Sequence, residues 1–302
     1  MEFTTALEFK ISSQQQREKH GKKSRSADRH MNQNKKPQNR GGGWRRLLMG
    51  ILLLVLAVSG VGLWKEKEAA RRQRQCQEQL ASLASGAETE TSTEVQKEET
   101  EPSYHSPIDF ETLKKENPDT VGWIRIPGTN IDYPIVWDQE SNDTYLTRDF
   151  YGKESVYGAI FLDADSEPDF SGRNHPIYGH HMKDGSMFKD VVKFKDPEYF
   201  KEHQFFELYT PERTIHLKAV SCYYTDADGI VRKTQFCSQK EFDQWAEERL
   251  EPCAFAEIPK APLPALYSLV TCSYEFDDAR TVLFAAEVDE TGSLITAQEG
   301  EK

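Results

Sequence analysis

Eighteen consecutive residues, Leu47 to Trp64 (LLMGILLLVLAVSGVGLW), carry no charge. That length falls within the roughly 17–25 residues needed to cross a bilayer core. Trp44 and Trp64 flank the run, where aromatic rings favour the membrane interface. A cleaved signal peptide is the competing reading. It would have a shorter apolar core and a small-x-small site before the mature start, whereas here a long basic leader precedes the run. Residues 44–64 are therefore read as an uncleaved transmembrane anchor. Twelve Lys/Arg precede the span, and Lys65, Lys67, Arg71, Arg72 and Arg74 follow it closely. The excess predicts a cytoplasmic N-terminus, a single pass through the cell membrane and an extracellular remainder.

Charge divides the same way. Residues 1–75 hold 17 Lys/Arg and 6 Asp/Glu, whereas residues 76–302 hold 21 and 44. Phosphate contacts need clustered Lys/Arg, so the acidic body argues against nucleic acid as a partner. Residues 1–43 read as a disordered basic tail. Residues 65–107 read as a stalk, helical to about 82 and then an acidic linker poor in large apolar side chains. A globular domain is expected over 108–290, with a disordered tail over 291–302. All five cysteines (Cys76, Cys222, Cys237, Cys253 and Cys272) fall beyond the span. Their spacing suggests no zinc site, and an odd number leaves at least one unpaired.

The globular part holds many short strand candidates separated by turn residues, which predicts a closed β-barrel or a sandwich. The candidates are the two halves of VGWIRIPGTNIDYPIV, then 157–162, 175–181, 205–210, 214–225, 266–272 and 280–288. Helices are expected at 108–117, around 186–193, and over 239–250, where Ser238 and Glu241 form a capping pattern. Phe242, Trp245, Ala246 and Leu250 share one face of that last helix.

Chemistry concentrates in SLVTCSYEFDDAR, 268–280. If the runs on either side pair antiparallel, Cys272 and Arg280 are directly opposed, with Cβ atoms about 4.5–5.5 Å apart. A guanidinium there offers charge to a thiolate and hydrogen bonds to a carbonyl becoming an oxyanion. The pair fits acyl transfer by a nucleophilic cysteine. Taken alone, it also fits a small buried cysteine beside a surface arginine. Acyl transfer needs a proton donor for the leaving amine, usually histidine. YGHHMKDGSMF supplies His180 and His181, and strand alternation lets only one of them face Cys272.

These motifs carry a resemblance. SLVTC with arginine eight positions on, together with YGHHM and DGSMF, resembles the sortases, and specifically class B. NPDTVGWIRIPGTNIDYPIV, SNDTYLTRDFYG and GAIFLDA are similar to class B sequence as well. The resemblance implies a mainly β fold: an eight-stranded barrel with added helices, preceded here by the single transmembrane helix. It implies a cysteine transpeptidase without a cofactor, which cleaves a C-terminal sorting motif of surface proteins after threonine. The acyl group then passes to an amine of cell-wall peptide or of a pilin. Cys272 would be the nucleophile, His180 the general acid and base, and Arg280 the oxyanion holder. Asn142, Leu146, Ser268 and Thr271 would contact the peptide.

Two other classes use the same residues differently: a cysteine endopeptidase that releases the acyl group to water, and a non-catalytic surface-binding module. DADSEPD places Asp163, Asp165, Glu167 and Asp169 at alternate positions, like the start of a calcium loop. Pro168 stands where the turn glycine belongs, which argues against a metal there.

Overall fold

The computed structural model describes residues 42–85, 104–227, 230–255, 259, 261–273, 275 and 278–297. The basic tail up to residue 41, the linker over 86–103 and the last residues from 298 lie outside them. The chain divides into a unit ending at Val58 and a second beginning at Ser59, and the barrel lies in the second.

Helix α1 runs from Gly42 to Ala84, and its residues from Leu47 to Lys67 are exposed. It is the one described helix long and apolar enough to cross a membrane. Its second half is no free stalk. Ala69, Ala70, Cys76, Leu80, Leu83 and Ala84 recur at helical spacing and pack on the barrel domain, with Leu80 and Ala84 buried beside Phe110, Leu113 and Trp123. Helix α2, Phe110–Glu116, starts at Asp109, whose Oδ1 accepts from the Thr112 amide at 2.9 Å.

Eight strands follow: β1 Thr120–Arg125, β2 Asp132–Trp137, β3 Ile160–Leu162, β4 Asn174–Tyr178, β5 Phe205–Tyr209, β6 Thr214–Thr225, β7 Leu266–Cys272 and β8 Arg280–Glu287. They close in the order β1-β2-β3-β4-β7-β8-β6-β5, with β5 returning to β1. Closure leaves no sheet edge unpaired. The β2–β3 and β4–β7 pairs are parallel and the others antiparallel.

Strands β7 and β8 are buried at every position but their ends, because both of their faces are covered. Inside the barrel, Leu269 and Leu283 meet Ile135, Leu208 and Leu217. Outside it, helix α4 (Gln239–Leu250) lays Phe242, Trp245, Ala246 and Leu250 over Val270, Val282 and Phe284. Each large apolar side chain buried there contributes about 1.5–3 kcal/mol. The two strands that deliver Cys272 and Arg280 are thus held from both sides.

Three local readings change. The segment expected as a helix over 186–193 is a 3₁₀ helix, Phe188–Lys195, whose buried Phe188, Val191 and Phe194 recur every third residue. A short helix α3, Pro197–Glu202, follows it, capped by Asp196. Residues 291–297, expected within a disordered tail, fold back onto β8. Leu294 bridges Val288, the Ile295 amide donates to Glu287 O at 2.9 Å, and the Ala297 amide donates to Pro262 O at 2.8 Å.

Candidate active site

The register of three neighbouring strands builds the site. Cys272 is paired with Arg280 across β7–β8, as the hairpin reading expects. On the other side of β7, the parallel pairing sets Tyr178 level with Val270, and the Gly179 amide continues it by donating to Val270 O at 3.1 Å. His180 follows Tyr178 by two residues, and Cys272 follows Val270 by two. Parallel strands advance together, so His180 arrives level with Cys272. The cysteine lies between a histidine on one side and an arginine on the other, at one end of the barrel.

All three residues line one cleft of ≈ 280 Å³, together with Asn142, Leu146, Tyr178, Val231, Arg232 and Thr271 among others. Cys272, His180 and Arg280 are each partly exposed. The Arg280 Nη1 donates to its neighbour's carbonyl, Ala279 O, at 3.1 Å.

His180 is fixed from two directions. Its Nε2 lies 2.7 Å from Leu146 O, and a carbonyl only accepts, so Nε2 carries a proton. Nδ1 remains as the nitrogen that can take or give a proton. The approach depends on Gly158, at φ +60°, where a Cβ would sit 2.6 Å from Tyr145 O and 3.0 Å from His180 Cδ2. Gly179 is equally constrained: a Cβ there would lie 2.5 Å from Ile160 Cδ1 and 2.7 Å from Phe188 Cγ.

His181 takes no part in lining the cleft. It bridges Met187, and burial, then the charges of Lys189 and Lys195, lower its pKa. Of the other cysteines, Cys222 and Cys253 are buried, and burial raises the Cys222 thiol far above its ordinary range. Burial also pushes Cys76 up to about 11. All five cysteines are free.

The four positions expected to contact substrate divide. Asn142, Leu146 and Thr271 line the cleft. Ser268 does not: it is wholly buried and donates to Asn174 Oδ1 at 2.7 Å. It has Cys272's parity along β7, but there the strand is covered: its neighbours of the same parity, Leu266 and Val270, are buried in the cluster that includes α4.

The sequence left two cleft-lining side chains unread, Tyr178 and Arg232, and with them the role of the buried Asp163 behind them. Asp163 Oδ2 accepts from Tyr178 Oη at 2.8 Å and from Arg232 Nε at 3.1 Å. The first acid of the supposed calcium loop is therefore an ion-pair partner.

Comparison with known proteins bears on the family and the fold. The sortase domain model matches residues 124–288. This chain belongs to the sortase family. Its likeness is to class B: sortase B of Listeria monocytogenes is 30% identical over 166 residues, 55% of this chain and 67% of that protein. A sortase B structure from Bacillus anthracis aligns with a TM-score of 0.61 at 27% identity, covering 74% of this chain and 99% of the other. A Staphylococcus aureus sortase B–substrate complex aligns at 0.55 and 27%, covering 60% of this chain and 85% of that one. The chain is a class B sortase, a cysteine transpeptidase, and its barrel is the sortase barrel.

Proposed function

We propose that this sortase is anchored in the cell membrane by residues 44–64, with its N-terminus in the cytoplasm and its barrel outside. There it cleaves a C-terminal sorting motif of surface proteins through a thioacyl intermediate on Cys272. The observation that carries the reading is that His180, two residues past the end of β4, lines one cleft with the paired Cys272 of β7 and Arg280 of β8.

The peptide lies in the cleft with the carbonyl of its threonine against the Cys272 sulfur. With its proton passed to His180 Nδ1, the Cys272 thiolate attacks that carbon, and the oxygen becomes an oxyanion facing the Arg280 guanidinium. As the C–N bond breaks, His180 gives the Nδ1 proton to the leaving amine. Its Nε2–H bond to Leu146 O keeps the ring in the orientation that presents Nδ1. An acceptor amine from cell-wall peptide or a pilin then attacks the thioester. His180 takes the amine's proton back, and the Cys272 thiolate leaves.

Quenched peptides with threonine fixed at the cleaved position and the neighbours varied supply a first substrate. We expect Cys272→Ala to abolish their cleavage. Single replacement of the other four cysteines should leave most of it. Cleavage that survives Cys272→Ala overturns the nucleophile assignment. Hydroxylamine in the assay separates the transpeptidase from an endopeptidase: a hydroxamate product supports amine transfer, and acid product alone supports water as acceptor.

A further inference from the structure

One wall of the cleft is a short segment outside the barrel, the 3₁₀ turn Ile230–Arg232, of which Val231 and Arg232 face the cleft. A turn this short has little stability of its own. Two buried polar groups hold it. The first is Asp163, at the end of β3, which is 0% exposed. Its Oδ2 receives Arg232 Nε at 3.1 Å, Tyr178 Oη at 2.8 Å and Asn142 Nδ2 at 3.2 Å, while Oδ1 receives the Asp165 amide at 3.0 Å. The second is Asn174, at the start of β4, whose Nδ2 donates to Val231 O at 2.9 Å and Lys233 O at 3.0 Å. Ser268, from β7, fixes Asn174 in turn.

Asp163 thus gathers three cleft-lining side chains, Asn142, Tyr178 and Arg232, from three separate parts of the chain onto one buried oxygen. Burial and then the Asp163 charge raise the Tyr178 pKa, so its hydroxyl stays a donor. Arg232 is engaged through Nε, and 48% of its side chain remains exposed. Because that side chain stays partly exposed, its remaining N–H groups include donors available to a carbonyl oxygen.

We propose that Asp163 is a positioning residue for peptide binding: it holds the Ile230–Arg232 wall so that Arg232 offers hydrogen bonds to a backbone carbonyl of the sorting-motif peptide. Asp163 itself touches no reacting atom. Ser268 belongs to the same device, acting through Asn174 on the turn's other end. The inference rests on the peptide-cleaving reading above.

The test uses the full chain in detergent micelles and the peptide cleaved fastest from the threonine-fixed pool. Asp163→Asn keeps shape and removes charge, Arg232→Ala removes the partly exposed partner, and Arg232→Lys keeps only the charge. We expect Asp163→Asn and Arg232→Ala each to raise KM about tenfold or more, with kcat within about threefold. The double variant should be no worse than the weaker-binding single variant within about twofold, because the two act as one unit. Arg232→Lys should recover little, and the iodoacetamide alkylation rate of Cys272 should stay within about twofold throughout. An unchanged KM in Arg232→Ala overturns the proposal even if Asp163→Asn fails to fold. Additive effects, or kcat and alkylation falling together with KM, overturn it too. Cleavage surviving in Cys272→Ala, run alongside, would overturn the transpeptidase reading instead.

Discussion

His175 makes the fold acid-labile in a defined window. It lies in β4, five residues before His180, and is wholly buried. Its ring packs against Phe170 and Tyr267, with centroids 5.5 and 4.8 Å away. Nε2 lies 3.1 Å from Gly172 O, so the ring has one backbone partner. Burial pushes its pKa from the usual 6.5 down to about 4. The native protein therefore keeps His175 neutral at pH values where the unfolded chain has already taken a proton. Stability contributed by the neutral ring is full above pH 6.5 and is lost progressively as pH falls from 6.5 towards 4. A shift of that size corresponds to about 3 kcal/mol across the window, near 1.4 kcal/mol per pH unit. For a domain whose total stability is about 5–15 kcal/mol, that is a large fraction. The assay is urea unfolding of the full chain in micelles, followed by tryptophan fluorescence at pH 7.5, 6.5, 5.5 and 4.5. His175→Gln cannot titrate. It should start less stable at pH 7.5 and lose about 3 kcal/mol less than the parent on descending to pH 4. Equal losses in the two proteins would refute the reasoning, because the pH dependence would then belong to other groups.

Three further outcomes concern the site. Arg280→Lys should lose about 10²–10³ in kcat, measured by peptide cleavage, since a lysine cannot reproduce the planar fork at the oxyanion; a loss confined to KM would mean that Arg280 only orients the peptide. His180→Ala should be inactive and His181→Ala active in the same assay; the reverse would place the histidine register one residue off. Ser268→Ala leaves Asn174 Oδ1 without its donor and should cost about 1–3 kcal/mol in urea unfolding, and it should raise KM rather than lower kcat if Ser268 acts through the Ile230–Arg232 turn.

Much of this was legible in the residues, and the reasons differ by element. Strands β6 and β7 and helix α4 match their sequence-based bounds because pattern and caps agree locally, as with Ser238 at the start of α4. The Cys272–Arg280 opposition was legible because a hairpin fixes its own register. The level position of His180 was not derivable from the residues alone: it depends on a parallel pairing between strands some ninety residues apart, and family resemblance had to supply it. Asp163 was invisible as an anchor because its partners lie up to 69 residues away. The alternating acids around it suggested a local loop instead. Ser268 misled for another reason: side-chain parity along β7 is blind to what covers the strand. The 3₁₀ segment over Phe188–Lys195 is hard to tell from an α-helix in sequence, because periods of 3.0 and 3.6 differ little across so few residues.

The central claim is that Cys272 carries the acyl group, and trapping that species tests it most directly. The full chain is mixed with the selected peptide without added amine, quenched in acid, digested and mapped by mass spectrometry. The account predicts a thioester on Cys272 bearing the peptide's N-terminal fragment ending in threonine, and its disappearance when hydroxylamine is added before the quench. An adduct on Cys76, Cys222, Cys237 or Cys253, or steady cleavage with no adduct on Cys272 at any time point, would contradict it.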